Sequence, residues 1–307
     1  LTAGFAVLVP GGHGQLGREL VATAPDGVRV TAPGRRELDI TQPGAVLEAV
    51  TTLVAGAKAA GVPPIVLNAA SFTAVDDAET EQAQAFAVNG DGPRVLAAVC
   101  ASRDVPLVHV STDYVFSGDV RGDAKHPYET DDKVGPKSVY GLTKLAGEDA
   151  VLGSGARAWV VRTAWLYGAA GYNFVKTMAR LERERDTISV VDDQIGSPTW
   201  TRDFAAGVFE LCAAVVAGNG PEQHVLHCTG AGEASRFAFA RAIFTELGTD
   251  PERVRPVRTE DFPRPAERPA YSVLADASWR KAGLTPLRPW REALAEAFAE
   301  QGDAFTK

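Results

Sequence analysis

A short apolar run over residues 5–9 is followed at once by Gly11-Gly12-His13-Gly14-Gln15-Leu16-Gly17, and the residues over 18–24 read as a helix. An uninterrupted apolar run of this length suits a strand buried on both faces. The glycines at 11, 14 and 17 therefore stand between a strand and a helix, with the spacing of a dinucleotide loop. Gly11 permits the tight turn, Gly14 lets the backbone approach a diphosphate, and Gly17 lets the helix pack close on the strand. The helix N-terminus would offer free N–H groups to the phosphates, and Gln15 and Leu16 of the loop join the coenzyme contacts. A plain strand-to-helix turn could carry the same glycines, so the loop restricts the fold more firmly than the ligand.

The stretch over 28–32 reads as the second strand. In an NAD site an acid about 20 residues past the glycines binds the ribose hydroxyls. Here Gly34-Arg35-Arg36 occupies that place. A guanidinium such as that of Arg35 can pair with a 2′-phosphate, so NADPH is the expected coenzyme, with NADH as the alternative. Asp39 and Ile40 could line an adenine pocket. Equally, Thr41 could cap a helix entered through Gln42-Pro43.

Strand and helix then alternate. Strands are expected over 64–67, 106–110 and 159–162, with a helix over 83–102 between the first two. The first of these strands ends in Asn68-Ala69-Ala70-Ser71, small residues where a coenzyme could lie close. The second runs into Ser111-Thr112-Asp113, hydroxyls at the carboxyl end of a strand, where ligands bind in open α/β sheets. A polar loop spans 119–137. This pattern predicts an α/β fold, a Rossmann-type doubly wound parallel sheet with a smaller C-terminal substrate-binding lobe. Residues 1–168 are assigned to the coenzyme domain, with 200–230 returning to it. Residues 169–199 and 231–307 are assigned to the smaller lobe.

Composition excludes some partners. The formal charge of −8 argues against sequence-independent nucleic-acid binding. Cys100, Cys212 and Cys228 are too few and too far apart for a disulfide framework or a CxxC metal site. With no apolar run of spanning length and no signal peptide, a cytoplasmic protein without a membrane partner is expected.

Tyr140 and Lys144 lie four apart, on one face of any helix over Ser138-Val139-Tyr140-Gly141-Leu142-Thr143-Lys144. A phenol with an ammonium beside it is a tunable proton donor. Its ordinary pKa is roughly 10, and a neighbouring cation favours the phenolate. Alone, such a pair is an ordinary feature of a helix surface. The glycine loop and the Ser111-Thr112 strand end give it a chemical setting.

Together these pieces make the chain resemble the extended short-chain dehydrogenase/reductases and, within them, the dTDP-4-dehydrorhamnose reductase family. The resemblance covers nearly the whole sequence. It rests on the glycine loop, Asn68-Ala-Ala-Ser-Phe-Thr-Ala-Val-Asp76, Ser111-Thr-Asp-Tyr-Val-Phe116 and the Tyr140/Lys144 pair. Arg162-Thr-Ala-Trp-Leu-Tyr-Gly168, Asp193-Gln-Ile-Gly-Ser-Pro-Thr199, Arg268-Pro269 and Ser272 complete it. Pro10 and Phe72 depart from it, standing where Thr and Tyr are usual.

The resemblance implies hydride delivery to the C4 carbonyl of a dTDP-linked 6-deoxy-4-keto sugar, giving dTDP-L-rhamnose. Tyr140 would protonate the carbonyl oxygen, Lys144 would stabilise the phenolate and Thr112 would donate a hydrogen bond to the same oxygen. Ser111 joins the coenzyme contacts. Trp165 would wall the sugar. Thr73, Val75, Asp113, Asn173, Phe174, Gln194 and Arg268 are the remaining candidates for substrate contacts, with Arg264 or Arg268 as a fork for the diphosphate. Two other readings stay open: a reductase of another dTDP-4-keto sugar, and a non-catalytic regulatory subunit. A monomer or homodimer is expected. Some relatives use a bound Mg²⁺, but no compact cluster of acids in this sequence calls for one.

Overall fold

The computed structural model describes residues 4–119 and 126–306; residues 120–125, within the expected polar loop, and the end residues 1–3 and 307 lie outside the described residues. Five strands come first: β1 Ala6–Leu8, β2 Arg29–Thr31, β3 Pro64–Asn68, β4 Leu107–Thr112 and β5 Ala158–Thr163. The short strands β6 Leu166–Tyr167, β7 Ile188–Val191, β8 Ile195–Gly196 and β9 Thr199–Trp200 follow, then β10 Val225–His227, β11 Ala234–Ser235 and β12 Val254–Val257. The helices are α1 Gln15–Ala22, α2 Pro43–Ala60, α3 Gln82–Phe86, α4 Gly92–Arg103, α5 Val139–Leu152, α6 Phe174–Glu184, α7 Thr201–Val216, α8 Arg236–Glu246, α9 Ala277–Lys281 and α10 Trp290–Thr306.

The main sheet has the order β10-β5-β4-β3-β1-β2, and every pair in it is parallel. Successive strand residues point to opposite faces, so each short apolar strand feeds two cores. Val7, Ile65, Leu67, Val108, Trp159 and Val161 face α1 and α7, against Leu20, Phe204 and Val208. Leu8, Val66, Leu107 and Val160 face the other way, against Val46 and Val50 of α2 and Leu96 of α4. Apolar residues on both faces are what a doubly wound sheet requires. Strand β10 joins the sheet beside β5, with Val225 to His227 in register with Val160 to Arg162.

Beyond Gly168 the chain builds a second core from Tyr167, Trp200, Phe239, Phe244 and Leu294. Three two-stranded pairs frame it: β6 with β9, β7 with β12, and β8 with β11. Two local differences from the sequence reading have physical causes. The helix expected over 83–102 is interrupted by a π-helical turn, Ala87–Asp91, which turns Asn89 inward. Thr41 does not cap α2. Gln42 is the N-cap, while Asp39 accepts from the Thr41 N–H at 3.0 Å and from its hydroxyl at 2.8 Å. The last helix, α10, ends at Thr306, with Phe305 in the second core.

Candidate active site

The strand order reverses between β1 and β3, and ligands of open α/β sheets bind at such a switch point. A cleft of about 280 Å³ opens there. Gly11, Gly14, Arg35, Asp39, Ile40, Ala69 and Ala70 line it, together with His13, Gly34, Leu38, Ser71, Phe72 and Val88. Gly11 has φ +84°, and a side chain there would run into the backbone of Ala69 and Ala70. A Cβ at Gly12 would lie 2.0 Å from the Ala32 carbonyl, and one at Gly17 2.3 Å from the Gly11 carbonyl. These contacts draw β1, β2 and α1 together, while Gly14 faces the cleft as the uncapped N-cap of α1. The first N–H groups of α1, from Gln15 and Leu16, have no acceptor within the helix. That cradle fits a diphosphate, and Arg35 at its rim fits a further phosphate.

Tyr140 and Lys144 lie on α5, which packs close against its neighbours. Ser138 starts the helix as N-cap, accepting from the Gly141 N–H at 3.1 Å. A Cβ at Gly141 would lie 2.3 Å from the Tyr114 carbonyl, and one at Gly147 2.2 Å from the Asn89 carbonyl. Small residues on this helix face thus press it against the end of β4 and the π turn. Asn89, which the sequence reading passed over, closes the assembly. Its amide oxygen accepts from the Phe72 N–H at 2.8 Å and the Ser71 hydroxyl at 3.0 Å. Its amide nitrogen donates to the Phe72 carbonyl and the Thr143 hydroxyl, both at 3.0 Å. Asn89 is fully buried, so leaving any of these groups unpaired would be costly.

The Tyr140 phenol lies edge-on to Tyr114, ring centroids 5.4 Å apart. Burial raises its pKa above the ordinary phenol value, while the Thr112 and Ser71 hydroxyls pull it the other way. The Lys144 ammonium donates to the Val110 carbonyl at 2.7 Å and is 2% exposed. Burial lowers its pKa to about 8, and Glu148 opposes that. The expected lowering of the phenol by Lys144 is therefore not the leading influence. The ammonium is directed at a strand carbonyl, and burial dominates. The phenol keeps its proton, which suits a donor.

Two expected contacts are already engaged. The Thr112 hydroxyl donates to Asp113 Oδ1 at 3.0 Å and accepts from the Tyr114 N–H at 3.2 Å. Burial pushes the Asp113 carboxyl up to about 6. The Ser111 hydroxyl donates to Glu148, which forms a buried bidentate pair with Arg162.

The outer candidates divide. Arg268 is held in a fork by Asp76, and Arg264 stands 4.0 Å from the same carboxylate. Asn173 caps α6 and donates to the Gly168 carbonyl at 2.8 Å and to Gln15 Oε1 at 3.1 Å, tying the second core to the glycine loop. Gln194 donates to the Thr259 hydroxyl at 3.1 Å. Phe174 stacks on Phe239. Thr73 is exposed and Val75 half-buried on the loop after β3. Trp165, at φ +46°, lies under the Arg236 guanidinium, 3.4 Å from its ring centroid. Among the described residues no group of three or more His, Cys, Asp or Glu is placed to hold a metal ion.

A family model described as the RmlD substrate binding domain matches residues 5–302. A dTDP-4-dehydrorhamnose reductase of Streptomyces griseus is 49% identical over 293 residues, covering 95% of this chain and 92% of that protein. A dTDP-4-keto-6-deoxy-D-glucose reductase of Streptomyces niveus is 44% identical over 293 residues, covering 95% and 96%. The crystal structure of a dTDP-4-dehydrorhamnose reductase from Bacillus anthracis in complex with NADP superimposes with a TM-score of 0.87 at 34% identity, covering 97% of this chain and 99% of that one.

Proposed function

The chain belongs to the family defined by the RmlD substrate binding domain, and on that premise we propose that it reduces the C4 carbonyl of dTDP-4-dehydro-L-rhamnose to give dTDP-L-rhamnose, with NADPH as coenzyme. The observation that carries this reading is that buried Asn89 ties Ser71 and Phe72, which line the glycine-loop cleft, to Thr143 on the helix that bears Tyr140 and Lys144. NADPH supplies a hydride when bound. The glycine loop and the N-terminus of α1 hold its diphosphate, Arg35 its 2′-phosphate, and Asp39 and Ile40 its adenine side.

Tyr140 then gives its proton to the carbonyl oxygen as negative charge grows there. A buried, protonated phenol is a ready donor to an alkoxide, which is a stronger base. Lys144 steadies the phenolate that remains, from a site where little water screens its charge. Thr112 aligns the carbonyl oxygen, and ionised Asp113 competes for the Thr112 proton. Residues 1–168 with 200–230 are taken as the coenzyme domain, to whose core Trp279 and Leu284 of the C-terminal segment also contribute. No helix among the described residues is long and apolar enough to cross a membrane.

A second reading, reduction of another dTDP-4-keto-6-deoxy sugar, is favoured by the Streptomyces niveus relative, which matches over the same span. One experiment separates them. The protein is incubated with NADPH and dTDP-4-dehydrorhamnose, loss of reduced-nicotinamide absorbance is followed, and the product is identified by NMR. Turnover to dTDP-L-rhamnose is expected. Turnover only of another dTDP-4-keto sugar selects the second reading, and no turnover of either rejects both.

A further inference from the structure

Arg236, the first residue of α8, is a cation without an anionic partner among the described residues. Its side chain makes no hydrogen bond and no ion pair with any described residue, although it is only partly exposed. Burying a guanidinium without a partner is costly, so such a group is retained where an anion completes it. The neighbouring arginine is different in kind, because Arg268 is already neutralised by the Asp76 fork.

Arg236 is also held in place before any ligand arrives. Its guanidinium stacks on the Trp165 indole, 3.4 Å from the ring centroid, and lies 5.2 Å from that of Phe174. Stacking fixes the plane of the guanidinium and leaves its N–H edges free, which is the arrangement that serves bidentate recognition of phosphate oxygens. Trp165 takes an unfavourable left-handed backbone conformation to provide that platform, and Gly196 is the residue that leaves room for the ring. The charged groups that act on Arg236 include Asp113 and Arg268, and Tyr114 stands beside them. The same Asp113 and Tyr114 act on the Tyr140 phenol. Asp113 thus acts on both Arg236 and the proposed proton donor.

We propose that Arg236 binds the diphosphate of the nucleotide-sugar substrate, with Trp165 as its positioning platform and Arg268 as a brace for the surrounding loop. The inference rests on the function proposed above. It moves the diphosphate fork from the Arg264 and Arg268 segment to α8, and it gives Trp165 the role of orienting a guanidinium.

Calorimetry with dTDP, with thymidine and with NADPH tests this on the full chain, using wild type, Arg236→Gln and Arg236→Lys. Wild type should bind dTDP; if it does not, the proposed function fails before the inference is reached. With dTDP bound by wild type, Arg236→Gln should weaken it roughly 10–100-fold, the usual size of a lost charge-assisted contact. Arg236→Lys should fall between, since it keeps the charge and loses the fork. Thymidine and NADPH affinities should be unchanged in both, which also shows that the variants are folded. Steady-state kinetics should show the loss chiefly in KM for the sugar nucleotide. Unchanged dTDP affinity in Arg236→Gln, or equal losses for dTDP and thymidine, overturns the assignment. If Arg236→Gln does not fold, Arg236→Lys decides alone, and dTDP affinity equal to wild type overturns it.

Discussion

The ammonium of Lys144 donates to the carbonyl oxygen of Val110 at 2.7 Å, which pins the middle of α5 to the carboxyl end of β4. The bond fixes where the Tyr140 phenol can stand, one helical turn earlier on the same face. It also places a cation in a pocket that favours its neutral form.

That pocket has a kinetic consequence. The Lys144 pKa is lowered to about 8, so its charge is present below that pH and lost above it. kcat/KM reports groups of the free enzyme. It should therefore fall on the alkaline side with an apparent pKa near 8, and Lys144→Arg, if active, should lose that limb. A wild-type profile level from neutral to strongly alkaline pH would contradict the role given to Lys144.

Removing the Tyr140 hydroxyl should separate chemistry from binding. Tyr140→Phe is expected to lower kcat by roughly 10²–10⁴, the usual size of a general-acid contribution. NADPH affinity, followed by nucleotide fluorescence, should stay at the wild-type value. Wild-type turnover in this variant would remove the proposed proton donor.

Some of this architecture was readable from residue order, and the reasons differ by element. The glycine loop was legible because three backbones meet there and only glycine fits. The strands of the main sheet were legible because burial on both faces leaves a continuous apolar run. The Tyr140/Lys144 face follows from helical spacing. The π turn at Ala87–Asp91 was not legible. It is stabilised by hydrogen bonds that Asn89 makes to segments 17 and 54 residues away. Arg236 was missed for a related reason. An arginine opening a helix is common, and what marks this one is the absence of a partner, which only coordinates reveal. Arg268, which looked like the free fork, is spoken for by Asp76.

Coenzyme choice is tested at the rim of the cleft. Arg35→Ala should reduce the NADPH-over-NADH preference in kcat/KM by roughly tenfold or more, in line with one charge-assisted contact. The change should come mainly from weaker NADPH use. An unaltered preference would mean that Arg35 is a solvated loop charge.

The floor beneath Lys144 should be brittle. Glu148 and Arg162 pair at 2.7 Å with side chains 1% and 5% exposed. Glu148→Gln leaves the buried guanidinium uncompensated and should cost about 3–5 kcal/mol of stability. Chemical denaturation would show it as a lower midpoint with little change in slope. A midpoint within experimental error of wild type would show that the pair contributes no net stability.

The amide of Asn89 is shared between the Ser71-Phe72 wall of the cleft and the Thr143 turn of α5. The wall of the cleft and the helix that carries Tyr140 are therefore fastened to one another as a plate through a single buried side chain. A change at Asn89, which touches neither ligand, would loosen that plate and blur hydride and proton delivery together.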